Sequence, residues 1–195
     1  MILSQQIGTL SRAAAVEANR RALAERNHLT GREAFFNEGE VIVSKTDPKG
    51  VITYANETFL QISGYSEEEL VGAPHSILRH PAMPRCVFKF LWDNIAAGEE
   101  VFAYVLNRCK NGDHYWVFAH VTASYDTAGQ IIGYHSNRRV PSRKAIAAVE
   151  PVYKTLLDVE ARGADPKQSL DLGMTTLVDF VKGTGMTYAE FVFTL

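Results

Sequence analysis

Cysteine is nearly absent. Cys86 and Cys109 are the only two in 195 residues, and neither sits in a CxxC or Cys/His spacing. That excludes a disulfide-stapled scaffold and a structural zinc site, and it suits a reduced compartment. No apolar run approaches the ~20 residues of a membrane helix. The start, Met1 to Ile7, lacks the charged opening and long apolar core of a signal peptide. A cytoplasmic location without membrane insertion is expected. An excess of one charge is missing too: 20 basic residues face 22 acidic ones, for a formal net charge of −2. Nothing in that balance draws the chain to nucleic acid. The one basic cluster, Arg138, Arg139, Arg143 and Lys144, reads as a solvated strand end leading into a helix. Catalytic signatures are lacking as well, with no Gly-x-Ser-x-Gly, no phosphate loop and no zinc-ligand pair. The expectation is a protein that is not an enzyme.

What is present is a sufficient core. Hydrophobic residues make up 46% of the chain, enough for one compact domain with extensions. The texture divides into three segments: 1–37, 38–140 and 141–195. In the first, Leu3, Ile7, Leu10 and Ala14 share one helix face, but the stripe then meets Glu17 and Arg21. A helix this weakly apolar over 2–27 needs a surface to lie on. Residues 28–39 read as a connector.

The middle segment opens with two β-rich runs, 40–44 and 51–54, around Asp47-Pro48-Lys49-Gly50. Proline presets φ and glycine accepts positive φ, so the pair reads as a hairpin. Short helical pieces follow. Ser66 with Glu69 three positions later is a capping box. Pro84 opens a longer helix to Ala97, with Val87, Phe88, Leu91, Trp92 and Ile95 on its buried face. Three strands come next, 100–110, 114–125 and 130–138, with turns at Asn111-Gly112 and Thr127-Ala128-Gly129. Two strands, helices and three strands predict an α+β fold: a five-stranded antiparallel sheet with short helices on one face and flanking helices at both ends. In the last segment 143–160 and 169–181 read as helices, with Pro151 kinking the first. Residues 186–195 read as a short aromatic tail.

The wording of the middle segment narrows this. Thr53-Tyr54-Ala55-Asn56, Ser63-Gly64-Tyr65 and Glu69-Leu70-Val71-Gly72 are similar to the first half of many PAS domains. Two further stretches are more specific: Pro74-His75 with Leu78-Arg79-His80-Pro81, and the run from Asn107 to Val117. Together they resemble the FAD-binding PAS domain of bacterial aerotaxis and redox receptors over about 100 residues, 38–140. The resemblance implies a sensor whose signal is the redox state of a bound flavin. It implies cofactor contacts from Asn56, Arg79, His80, Phe88, Trp92 and Asn107. Ala82 stands where the family has an acidic residue, and Val101 where it has a tryptophan. Each change removes a contact worth about 1 kcal/mol or more. A light-sensing relative needs a reactive cysteine beside the ring, and Cys86 follows Pro84-Arg85 outside that motif.

Strand alternation adds detail. Val101, Ala103, Val105 and Asn107 share one face, and Phe102, Tyr104 and Leu106 the other. Asparagine is disfavoured inside a strand, which marks Asn107 as a cavity residue. The opposite face is apolar, so something must cover it: the N-terminal helix or a second subunit. The expected protein is therefore a stand-alone cytosolic sensor, homodimeric, that passes its state to a separate signalling protein. Two alternatives remain open. One is a haem-binding gas sensor, with His75 and His80 near the cavity helices. The other is a cofactor-free dimerisation or scaffold module.

Overall fold

The computed structural model describes residues 28–195; the helix expected over 2–27 lies outside the described residues. Five strands form one antiparallel sheet: β1 (Ile42–Thr46), β2 (Ile52–Ala55), β3 (Val101–Arg108), β4 (His114–Tyr125) and β5 (Ile131–Arg139). Their spatial order is β2-β1-β5-β4-β3, so the last strand inserts beside the first. The Asp47-Gly50 turn works as its chemistry dictates. Asp47 Oδ1 accepts the backbone N–H of Lys49 and of Val51, both at 2.9 Å.

Between β2 and β3 run α1 (Glu57–Ser63), α2 (Glu67–Leu70), one 3-10 turn (His75–Leu78) and α3 (Arg85–Ala96). The capping box at Ser66 and Glu69 forms as expected. Helix α3 turns Cys86, Val87, Leu91 and Ile95 inward. These helices cover the sheet's inner face, where Ile42, Phe59, Leu78, Tyr115 and Val117 are almost fully buried. The inner row of β3 is Val101, Ala103, Val105 and Asn107, paired with Val121, Ala119, Val117 and Tyr115 of β4.

Three helices follow the sheet: α4 (Arg143–Glu160), α5 (Pro166–Gly183) and α6 (Tyr188–Thr194). Helix α4 continues through Pro151. The expected aromatic tail is a real helix, α6, started by a capping box of Thr187 and Glu190.

These helices supply a cover that the sequence did not suggest. Among the described residues, the outer face of β3 and β4 is met by this chain's own C-terminal helices. Phe193 of α6 packs on Phe102 and Phe118, at centroid distances of 4.7 and 5.8 Å. Tyr153 of α4 lies 6.2 Å from Trp116. Its hydroxyl donates to the Tyr104 carbonyl at 2.6 Å. β3 is an edge strand, and its outward carbonyls need partners that another strand would otherwise provide. Tyr153 of α4 supplies one such partner, while its ring covers Trp116 on the same face.

The basic cluster does call for a correction. Arg138 is not solvated: it is only 2% exposed and lies on the inner face of β5. The β5 sequence from His135 to Arg139 is wholly polar, so it offers no apolar contrast to show which face turns inward.

Candidate functional site

The inner face of the sheet and helix α3 enclose a small chamber of about 60 Å³. Its walls are mostly apolar: Phe88, Leu91, Trp92 and Ile95 from α3, and Val105, Ala119 and Val121 from the sheet. Polar groups enter from four elements, with Ser44 and Thr46 of β1, His75, Asn107 of β3, and Ser136 and Arg138 of β5. An outer vestibule of about 180 Å³ adjoins it, edged by Lys49, Pro74, Ser76 and Arg79. His75, Phe88, Trp92 and Asn107 line both spaces and form the partition between them.

The partition rests on Tyr134 and Gly50. Trp92 packs edge-on to Tyr134 at 5.5 Å. The far edge of its ring lies over Gly50, where a Cβ would sit 2.8 Å from the indole. Gly50 also holds φ at +80°, which favours glycine independently. The Gly50 carbonyl accepts the His75 backbone N–H at 2.9 Å. The hairpin turn and the 3-10 turn therefore meet at the vestibule.

The electrostatics of the chamber are one-sided. Burial lowers the pKa of Arg138 to about 10, which leaves it a cation at neutral pH. His75 is pushed down to about 3, first by burial and then by the charges of Arg138 and Arg79. It is therefore a neutral imidazole at pH 7. Among the described residues no carboxylate lines either space. The Asn107 side-chain Nδ2 is buried and has no hydrogen-bond partner among the described residues. Such an orphaned donor costs roughly 1–3 kcal/mol in a folded protein.

The expected site residues separate into two groups. Arg79, Phe88, Trp92 and Asn107 come together. The Arg79 guanidinium lies 4.4 Å over the Phe88 ring, and the Arg79 backbone forms a bridge to Asn107. Asn56 does not join them. Its Oδ1 accepts from Val43 and Phe59 backbone N–H groups at 2.9 and 3.2 Å. Its Nδ2 donates to the Val41 carbonyl at 2.8 Å. Asn56 is thus an N-cap for α1 and a clip on the chain entering β1. His80 also stands apart. Its Nδ1 accepts the Ala82 N–H at 3.1 Å, and its ring faces His114 at 5.7 Å.

The segment that builds the sheet and its inner helices has a match among known families. Residues 52–138 match the family described as PAS fold. This segment is a PAS domain. The chain is 43% identical over 129 residues to the aerotaxis receptor of Escherichia coli (strain K12), which covers 66% of this chain and 25% of that protein. It is 30% identical over 96 residues to the bacterioopsin transcriptional activator of Halobacterium salinarum, covering 49% of this chain and 14% of that protein. The chain thus spans a quarter or less of the length of these relatives. A solved structure of the blue-light photoreceptor Aureochrome1 LOV in its light state superposes with a TM-score of 0.52. It covers 58% of this chain and 91% of that one at 23% identity, a likeness of fold.

Within this segment His75, Tyr134 and Arg138 also line the chamber, and no motif in the sequence marks Tyr134 or Arg138. Period-two alternation from Tyr134 reaches Ser136 and Arg138, so the face was available in principle. Only the pairing of Arg138 with Ala119 of β4 and Ile42 of β1 decides that this face points inward.

Proposed function

We propose that this PAS domain is a flavin-dependent redox sensor that passes its state to a separate signalling protein through α3 and the C-terminal helices. The observation that carries the reading is Asn107. It presents a buried, unpartnered amide on the wall of an apolar chamber flanked by two flat rings, Phe88 and Trp92. The carbonyl and imide edge of an isoalloxazine ring would satisfy such an amide. Flat apolar walls suit its faces. Lys49, Ser76 and Arg79 at the vestibule supply donors for a phosphate-bearing tail, which favours FAD among flavins.

The chamber and vestibule are narrower than the roughly 300–1,000 Å³ of common small-molecule sites. Binding the ring therefore requires the Trp92 side chain to leave Gly50 and α3 to shift. That requirement supports the output route, because α3 is packed against α5 and α6: Phe90 lies 4.5 Å from Tyr188. A ligand that favours one position of α3 biases what those helices present. Self-association belongs to the same proposal. With Phe102 and Phe118 covered by α6, a dimer must use a surface other than that part of the sheet.

The narrow chamber favours one second reading, a cofactor-free scaffold module. Absorbance separates the two. The full chain, freshly purified and again after incubation with FAD, should retain flavin bands through gel filtration. A Soret band would assign haem instead. A colourless protein that retains no FAD would leave the scaffold reading standing and remove the sensor.

A further inference from the structure

Arg138 is a buried cation without a counterion. Its guanidinium donates to Ser44 Oγ and lies 4.5 Å over the Phe59 ring. Its Nε and Nη1 have no partner among the described residues. Among the described residues no carboxylate pairs with it. The ionisable groups near it are Tyr115 and His75. Burial drives the Tyr115 pKa up, so both groups are neutral at pH 7. Guanidinium groups favour planar, bidentate acceptors that carry negative charge. A fully buried charge with spare donors is strongly unfavourable unless something completes it. Asn107 adds a second unpartnered donor to the same chamber.

We propose that Arg138 and Asn107 form an acceptor receptor that the ligand completes, so that the chamber holds its ligand more tightly when the ligand's edge is anionic than when it is neutral. On the flavin reading, on which this rests, the chemistry is defined. Two electrons from an external reductant and one proton convert the neutral oxidised ring into a reduced ring bearing one negative charge. That charge lies on the pyrimidine-side nitrogen and carbonyl, a planar acceptor edge of the kind a guanidinium takes. Arg138 would therefore raise the reduction potential of the bound ring. The protein tolerates an incomplete charge in the empty chamber and recovers the cost in the reduced complex.

The test uses the full chain with FAD, titrated with dithionite, beside the variants Arg138→Met and Arg138→Lys. Arg138→Met should lower the preference for reduced over oxidised flavin at least tenfold, which for a two-electron couple is about 30 mV. Arg138→Lys should keep part of that preference. In the flavin-free protein, Arg138→Met should raise Tm, because an uncompensated charge is replaced by an apolar chain of similar length. A merely structural arginine predicts the reverse. A lowered Tm, or failure of Arg138→Met to fold, overturns the proposal. An unchanged potential in a variant that binds FAD overturns it and leaves the flavin reading intact. If the unaltered chain retains no FAD in either redox state, the flavin reading fails and this inference fails with it.

Discussion

Glu160 caps a helix to which it does not belong. Its carboxylate, at the end of α4, accepts the backbone N–H of Cys86 at 2.8 Å and of Arg85 at 3.0 Å. These are the first residues of α3, and Pro84 at the cap position offers no side-chain acceptor. The first N–H groups of any helix lack internal partners, and the helix dipole favours an anion there. The same carboxylate, after burial, pushes the Cys86 thiol pKa far up and keeps it unreactive. The helix that walls the chamber is therefore held at its N-terminus by the C-terminal extension.

Glu160→Ala should expose this latch. It leaves one buried and one part-buried N–H group without an acceptor and removes a favourable charge, for a loss of about 2–3 kcal/mol. Glu160→Gln keeps one acceptor and should lose about half as much. Urea denaturation followed by tryptophan fluorescence measures both, since Trp92 and Trp116 sit on opposite sides of the sheet. A neutral Glu160→Ala would show that α3 does not depend on the extension.

Gly173 of α5 guards the same junction from the other side. A Cβ there would come within 2.8 Å of Glu160 Cγ and 3.0 Å of Cys86 Cβ. Gly173→Ala should therefore destabilise by about 1–3 kcal/mol, despite alanine's better helix propensity. Combined with Glu160→Ala the cost should be clearly less than additive, because the clash partner is gone. Additive costs in the double-mutant cycle would place the strain elsewhere.

Asn107→Leu tests the chamber from within. The exchange keeps the side-chain size while deleting an unpaired buried donor. Flavin-free protein should be unchanged or slightly more stable, while FAD retention should fall at least tenfold. Reconstitution followed by gel filtration and absorbance reads the second effect, and a thermal melt the first. Full FAD retention in Asn107→Leu would remove Asn107 from the site.

Much of this architecture was legible before any coordinates, where local chemistry decides the outcome. The Asp47-Gly50 turn, the Ser66 capping box and the start of α3 at Pro84 depend on residues within a few positions of one another. Asn107 was legible because a polar residue interrupts an apolar strand face. Asn56, expected at the cofactor, is a cap for a physical reason that the sequence does not carry: the same amide can serve a ligand or a helix N-terminus, and only the positions of Val41 and Val43 decide. Arg138 was misread because β5 carries no apolar alternation beyond Tyr134. The Glu160 latch joins residues 74 positions apart, and no pattern along the chain announces such a contact. Helix α6 was different. Its capping box, Thr187 and Glu190, stood in the sequence and was overlooked in a segment of only ten residues.

Acid should weaken the fold well above the pH at which carboxylates protonate. Burial and nearby cations hold His75 near 3, and burial with His114 and Arg108 holds His80 near 4, against an ordinary 6.5. Both shifts are depressions. The unfolded chain therefore binds protons near pH 6.5 that the folded chain refuses, and stability is full above that pH. It is lost as pH falls through 6.5 toward the folded values. Between pH 7 and 5 each histidine should cost about 1–2 kcal/mol. The lowered carboxyl groups of Glu69, Asp113 and Glu190 act in a separate window below about pH 4.5. Urea midpoints at pH 7 and pH 5 measure the first window. The His75→Gln/His80→Gln double variant should flatten it, since neither side chain then takes up a proton on unfolding. Equal slopes in the variant and the unaltered chain would assign the acid sensitivity to groups other than these two histidines.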